Sequence, residues 1–265
     1  MKQIQKVLIL GIMLVLSCGP AMADNPDVLT REEMANIDAV LVPSPSELFL
    51  ALSKMGDYDW SRVVTNNRNT NYKNDHLRSL NLGTRGADGF LAIQSEDGKQ
   101  LGELTTTIMR LARDLAVDEP IVAQGSELRE LALQKKWADV RSHLDTLRND
   151  LEHYIDSLGD KENAMLVSAG GWLKGLNAVS QLLKDQYNEK ASMILYQPDL
   201  VQYYIDQIDG IREQAAKTPV IAEIAEALPD IKKLIDVGRG RPIPNENIEK
   251  LYQISSKLVQ AIERG

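Results

Sequence analysis

Apolar residues recur every three or four positions over most of this chain. Leu101, Leu104, Ile108, Leu111 and Leu115 follow that step, then Val140, Leu144, Leu147, Leu151, Tyr154 and Leu158, then Met165, Ala169, Trp172, Leu176, Val179 and Leu183. Such spacing places each set on one stripe of a helix, which is the side that packs against neighbours. No segment alternates with period two for long enough to read as a strand. Gly159-Asp160 lies between the last two runs. A helix-ending glycine followed by a helix-starting aspartate predicts an antiparallel hairpin of two long helices.

The punctuation extends this reading to both sides. Thr30-Arg31-Glu32-Glu33 has the form of a capping box opening a helix through Val40, and Pro43-Ser44-Pro45 ends it. Ser46 is expected to cap a second short helix through Met55. From Gly56 to Asp75 the chain turns polar, with Asn66, Asn67, Asn69, Asn71 and Asn74 crowded together. Asparagine competes for its own backbone and favours loops, so this stretch reads as a connector. Gln197-Pro198-Asp199 and Thr218-Pro219 open later helices, the second running to about Val237 with Pro229 expected to break or kink it. Gly238 to Pro244 reads as a loop, and Asn245 as the cap of a last helix. The expectation is an all-α fold, a helical bundle or stacked antiparallel helical hairpins of about eight to ten helices. It occupies residues 72–265, after an N-terminal helical segment and polar connector at 24–71. One weak internal echo, Ala87 to Leu91 against Ala169 to Leu173, uses common residues and matches no recognised repeat period.

Residues 1–23 read as a secretory signal peptide. Lys2 and Lys6 precede the apolar run Val7 to Leu16, Gly19-Pro20 breaks the helix, and Ala21-Met22-Ala23 supplies small residues before the cut. The run is too short for a permanent span. The alternative is lipoprotein processing at Val15-Leu16-Ser17-Cys18, which would make Cys18 a lipid-anchored N-terminus. Either route predicts export to the periplasm or beyond the cell.

Composition narrows the field. With 265 residues, 43% hydrophobic and 26% charged, the chain falls among ordinary globular proteins and outside disordered tails, collagen-like repeats and polytopic membrane proteins. Only 2 of its residues are Phe, so its core rests on aliphatic side chains, which suit helices. Its 38 acidic against 30 basic residues give −8, and signal removal deepens this by two lysines. An acidic chain is a poor nucleic-acid binder and has little attraction for anionic lipid, so membrane association is expected only through a lipid anchor. Cys18 is the single cysteine, which excludes an internal disulfide, and soluble cleavage would remove the only thiol.

The glycines are the most anomalous feature. Gly83, Gly86 and Gly89 recur at every third place inside one expected helix, and Gly170, Gly171 and Gly175 lie inside another. Each interior glycine costs about 1 kcal/mol relative to alanine, so the cluster needs a cause. In the structural reading, the two helices cross backbone to backbone with Phe90 and Trp172 beside the contact. In the functional reading, the missing side chains leave a cleft for a flat apolar ligand, walled by Phe90, Trp172 and Tyr187. A third reading breaks the helix between Gly83 and Gly89. A phosphate cradle lacks both the preceding strand and the Lys-Ser/Thr ending.

Other chemistry is thin. Asp139 with His143 and Asp150 with His153 have helical spacing, but the two imidazoles point apart and read as surface ion-pair partners, so no metal is expected. No Gly-x-Ser-x-Gly elbow occurs, and the carboxylates follow solvated faces. Arg239 and Arg241 read as solvated loop charges. The expectation is therefore a non-enzymatic protein without cofactors. It would act by binding, and its favoured partner is a protein of the cell envelope. The alternative is a carrier holding an apolar small molecule at Gly83, Gly86, Gly89, Phe90, Gly171, Trp172 and Gly175. A hydrolase of undetected type is the third class.

Overall fold

The structure, a computed structural model, describes residues 45–211 and 218–265. The expected signal, Cys18 and the helix expected at 30–40 lie outside those residues. Helices and short helical turns account for the regular structure among the described residues, with no strand. The fold is all-α, as the periodicity predicts.

Two long helices form the centre. α2 (Asp75–Gln94) and α7 (Lys161–Asp185) bury nearly every side chain along their middle stretches. They run in the same direction, because Ser79 meets Asn163 at one end while Asp88 meets Lys174 at the other. Four further helices surround them. α1 (Pro45–Ser53) lies across both, α3 (Gly98–Asp114) folds back on α2, α6 (Trp137–Ser157) folds back on α7, and α11 (Asn245–Arg264) packs along both. α4 (Glu119–Ala123) and α5 (Gly125–Leu133) bridge α3 to α6. A short turn, α8 (Glu189–Ser192), leads to the outer pair α9 (Pro198–Gly210) and α10 (Pro219–Ile235).

The expected hairpin is present. Gly159 takes a left-handed φ of +81° between α6 and α7, and Asp160 accepts from Asn163 N at 3.1 Å as the cap of α7. Asn74 caps α2 in the same way, accepting from Leu77 N at 3.0 Å. The connector before it is a loop with one turn of 3₁₀ helix at Trp60–Arg62. It is anchored nonetheless: Tyr58, Trp60, Val63 and Tyr72 are buried in the same core as Phe49 and Leu52 of α1.

Several local expectations are corrected. α2 is continuous from Asp75 to Gln94, so the helix is not broken between Gly83 and Gly89. Pro229 does not end its helix: α10 runs through it to Ile235. Ile224, Leu228, Ile231 and Ile235 bury one face on both sides of the proline, which offsets a local cost of about 3 kcal/mol. Ser46 lies within the first turn of α1, behind Pro45, and does not cap it. Asn245 is the first helical residue of α11 after Pro244, and no side chain caps that end. No helix among the described residues is long and apolar enough to cross a membrane.

Candidate functional site

The glycine-rich helices meet in two different ways. At Gly83 and Gly170 the backbones touch. A Cβ on Gly83 would lie 1.9 Å from Val167 O, and one on Gly170 would lie 2.1 Å from Leu80 O. Only glycine permits that approach, because no side-chain rotation can clear a backbone carbonyl. Further along, the helices part. A Cβ on Gly86 would meet no described atom within 4 Å, and one on Gly175 would meet only the tip of Leu48 at 3.7 Å. Gly171 stands between these extremes, with Gly83 O at 3.4 Å from its would-be Cβ.

The space left by this divergence is a slot bounded by α1, α2, α6 and α7. Gly83, Gly86, Gly171 and Gly175 line its floor, and Phe90 and Trp172 its sides. Leu48 of α1 and Leu144, Leu147 and Leu151 of α6 close it above. Its cavity volume is about 50 Å³. The slot is thus small as well as apolar. Such a space gives water few hydrogen-bonding partners and tends to stay dry.

Of the seven residues singled out in the sequence, six line this slot and Gly89 does not. A Cβ at Gly89 would touch Leu144 Cδ2 at 3.1 Å, so that glycine makes room for α6. Tyr187, expected as a wall, lies elsewhere. Its hydroxyl donates to Ile243 O at 2.8 Å, which ties the end of α7 to the loop before α11.

Four polar side chains reach the slot. Trp172 Nε1 donates to Gln197 Oε1 at 3.0 Å, fixing the indole. Ser168 shares a hydrogen bond of 3.1 Å with the Tyr204 hydroxyl, whose pKa burial pushes up strongly. On α6, Arg148 Nη1 donates to Glu152 Oε1 at 3.0 Å and Nη2 to Asn149 Oδ1 at 2.8 Å. Arg148 Nε is buried and has no hydrogen-bond partner among the described residues. Burial raises the Glu152 pKa, opposed by the charges of Arg148 and His153.

On another side of α2, away from the slot, lies a buried cluster that the sequence reading missed. Arg85 Nη1 donates to Asp88 Oδ2 at 3.2 Å and to Glu263 Oε1 of α11 at 3.0 Å. Lys174 Nζ of α7 lies 3.1 Å from Asp88 Oδ1. Thr65 of the connector donates to Asp88 through its backbone N at 3.0 Å and its hydroxyl at 2.7 Å. Arg85, Asp88 and Lys174 are at most 1% exposed. Two cations face two anions, so the group is neutral as a whole. Burial opposes the charge on Arg85, yet Asp88, Glu263 and Tyr72 outweigh it and raise its pKa. With Arg85, Asp88 and Lys174 buried, this cluster joins the connector, both central helices and α11. Its signal was present: Lys174 is the single charge between Met165 and Leu183, and Arg85 and Asp88 stand three apart among glycines and apolar residues. A charge in such company is buried and therefore paired.

The remaining candidates are ordinary. His143 Nε2 contacts Gln124 O at 3.1 Å and Glu127 Oε2 at 3.5 Å, a link between α6 and the chain around α5. No group of three or more metal-ligating side chains converges among the described residues. A much larger depression of about 740 Å³, where Lys73, Glu223, Lys257 and Arg264 come together, is an open surface of mixed charge. No family model, curated protein or solved structure matches the chain.

Proposed function

We propose that this chain is an exported, non-enzymatic binding protein that holds a small apolar molecule in the slot between α2, α6 and α7. The observation that supports this most is the pairing of Gly86 and Gly175 with open space. Glycine inside a helix is costly, and at Gly83 and Gly170 backbone contact accounts for it, whereas at Gly86 an alanine would fit. Small-molecule sites are concave, mostly apolar and carry a few placed polar groups, which is the character of this slot. Among the described residues no imidazole or lysine lines it, which favours binding over hydrolysis. Export rests on Lys2 to Ala23, with lipid anchoring at Cys18 as its variant.

A protein-docking module has weaker support. The large apolar side chains that are exposed among the described residues are Leu133, Leu158 and Tyr187. Leu133 and Leu158 flank opposite ends of α6, about 30 Å apart at 1.5 Å per residue, and so form no common patch.

The test is occupancy. Native mass spectrometry of the purified protein should find a co-purified apolar molecule, or an apolar fluorescent probe should bind with one-to-one stoichiometry. Gly86→Leu, whose side chain would enter the slot, should weaken the probe by at least about tenfold, the scale of a lost apolar contact of a few carbons. Its melting temperature should stay near that of the unaltered chain. Equal probe binding by Gly86→Leu would remove the slot from consideration.

A further inference from the structure

We propose that the occupant of the slot is a compact neutral molecule of about four heavy atoms, whose apolar body carries one hydrogen-bond-accepting oxygen held by the Ser168 hydroxyl. This rests on the reading of the slot as a binding site and adds the chemical class of what it binds.

The size follows from volume. A cavity takes one water-sized group for about 10–15 Å³, so the slot's volume of about 50 Å³ holds about four such groups. Gly86 and Gly175 supply that room, since a Cβ on either would meet open space or only the tip of Leu48. The neutrality follows from the ion pair. Arg148 and Glu152 lie 3.0 Å apart, and both side chains keep partial exposure, 19% and 24%. They balance each other in charge, so a charged occupant would enter an apolar slot with no counter-charge to spare.

The oxygen follows from a count of protons. Ser168, Gly171, Trp172 and Gly175 recur at helical spacing on one face of α7, and all four line the slot. Ser168 Oγ and the Tyr204 hydroxyl are 3.1 Å apart and share one hydrogen bond, which uses one of their two protons. Tyr204 is 0% exposed, so its proton cannot turn to solvent. Were Ser168 the donor, that phenolic proton would be left unpaired in the interior, the costlier of the two arrangements. The phenol therefore donates, and the Ser168 proton is left over. Ser180, the other serine of α7, returns its proton to Leu176 O at 2.6 Å, but Ser168 makes no such bond to its own helix among the described residues. The slot thus has a hydroxyl donor to spare beside its apolar walls. Trp172 Nε1 is engaged with Gln197 Oε1, and Gln197 Nε2 with Ile194 O. One spare hydroxyl is poor anchorage for a water, which needs about two to four partners, but it suffices for a single carbonyl or ether oxygen.

The experiment titrates acetone and isobutene, which share a shape and differ by an oxygen in place of a methylene, into the full chain and into Ser168→Ala. The Trp172 indole N–H is followed by NMR. Affinities should be roughly millimolar, given the few atoms involved. Acetone is the better hydrated of the two, so the readout is how each affinity changes with the substitution, not which is larger. Ser168→Ala should weaken acetone by about fivefold or more and leave isobutene within about twofold. A second reading needs no variant: the carbonyl stretch of isotope-labelled acetone bound to the unaltered chain should lie below its value in hexane. If Ser168→Ala weakens both probes alike or neither, if the bound carbonyl absorbs as in hexane, or if isobutene alone binds, the acceptor proposal is overturned and the slot stands as a purely apolar site. If neither probe binds, the slot itself is lost as a site.

Discussion

The seam between α2 and α7 is closed at one end and open at the other, although both ends are made from glycines on the same two helices. At Gly83 and Gly170 the absent Cβ is replaced by a neighbouring carbonyl oxygen about 2 Å away. At Gly86 and Gly175 it is replaced by empty space and the tip of one leucine. The same residue type thus does opposite work a turn or so apart. The difference lies in how the helices diverge after their closest point, with Phe90 and Trp172 holding the sides of the opening. A third behaviour appears around the helix from the slot, where Arg85, Asp88 and Lys174 bring charges into a dry interior and balance them. Contact there is polar and balanced in charge, whereas the slot is lined mostly by apolar side chains.

The contrast can be broken most severely at its closed end. Gly170→Ala or Gly83→Ala should cost about 4 kcal/mol or more, read as a large fall or loss of the cooperative melting transition, because backbone must move to admit one methyl group. A cooperative transition within a few degrees of the parent's would show that the helices do not touch there. Next in size is the charge cluster. Lys174→Met should destabilise by about 3 kcal/mol in urea unfolding, since it leaves Asp88 with less compensation in a buried setting. Adding Asp88→Asn should recover part of that loss, and strict additivity of the two would argue against direct coupling.

The open end should respond with the opposite sign. Gly86→Ala should stabilise α2 by up to about 1 kcal/mol, because alanine gains helix propensity and meets no neighbour. Destabilisation would mean that the space at Gly86 is filled. The smallest effect belongs to Glu152. Its folded pKa lies above its ordinary value because burial disfavours the charge. The native state therefore holds its proton more tightly than the unfolded chain. Its contribution is fullest below the ordinary glutamate range and falls as pH rises through the folded pKa. Glu152→Gln should flatten that segment of the stability profile, and an unchanged profile would place the carboxylate in a more polar setting.

Periodicity carried the long helices because their apolar stripes are the core: the positions read off for α6 and α7 are largely those that are buried. Helix ends were harder. α2, α3 and α5 are followed by Glu96, Ala116 and Lys135, each with φ between 53° and 59°, where a left-handed residue other than glycine leaves no sequence mark. Pro229 misled in the other direction, since burial on both sides of it outweighs a missing hydrogen bond. At the slot, the glycines and aromatics were visible as an anomaly, yet nothing local distinguished Gly86 from Gly83. That distinction depends on where a second helix passes, 84 or more positions away along the chain. Arg148 and Glu152 carry no mark of burial in the sequence, because their i, i+4 spacing is also that of surface ion pairs.

The Arg85–Glu263 contact also bears on how the chain reaches this state. Its partners are 178 positions apart, and Lys174 and Thr65 are 109 apart. Arg85 and Asp88 pair within α2, but the second cation is balanced only by Glu263, and loop closure over such spans comes late and slowly. A partly folded chain in which α2 and α7 have met without α11 would set Arg85 and Lys174 against Asp88 alone, one cation in excess. The seam consequently gains little from partial assembly, which penalises half-docked states and makes its formation nearly all-or-none.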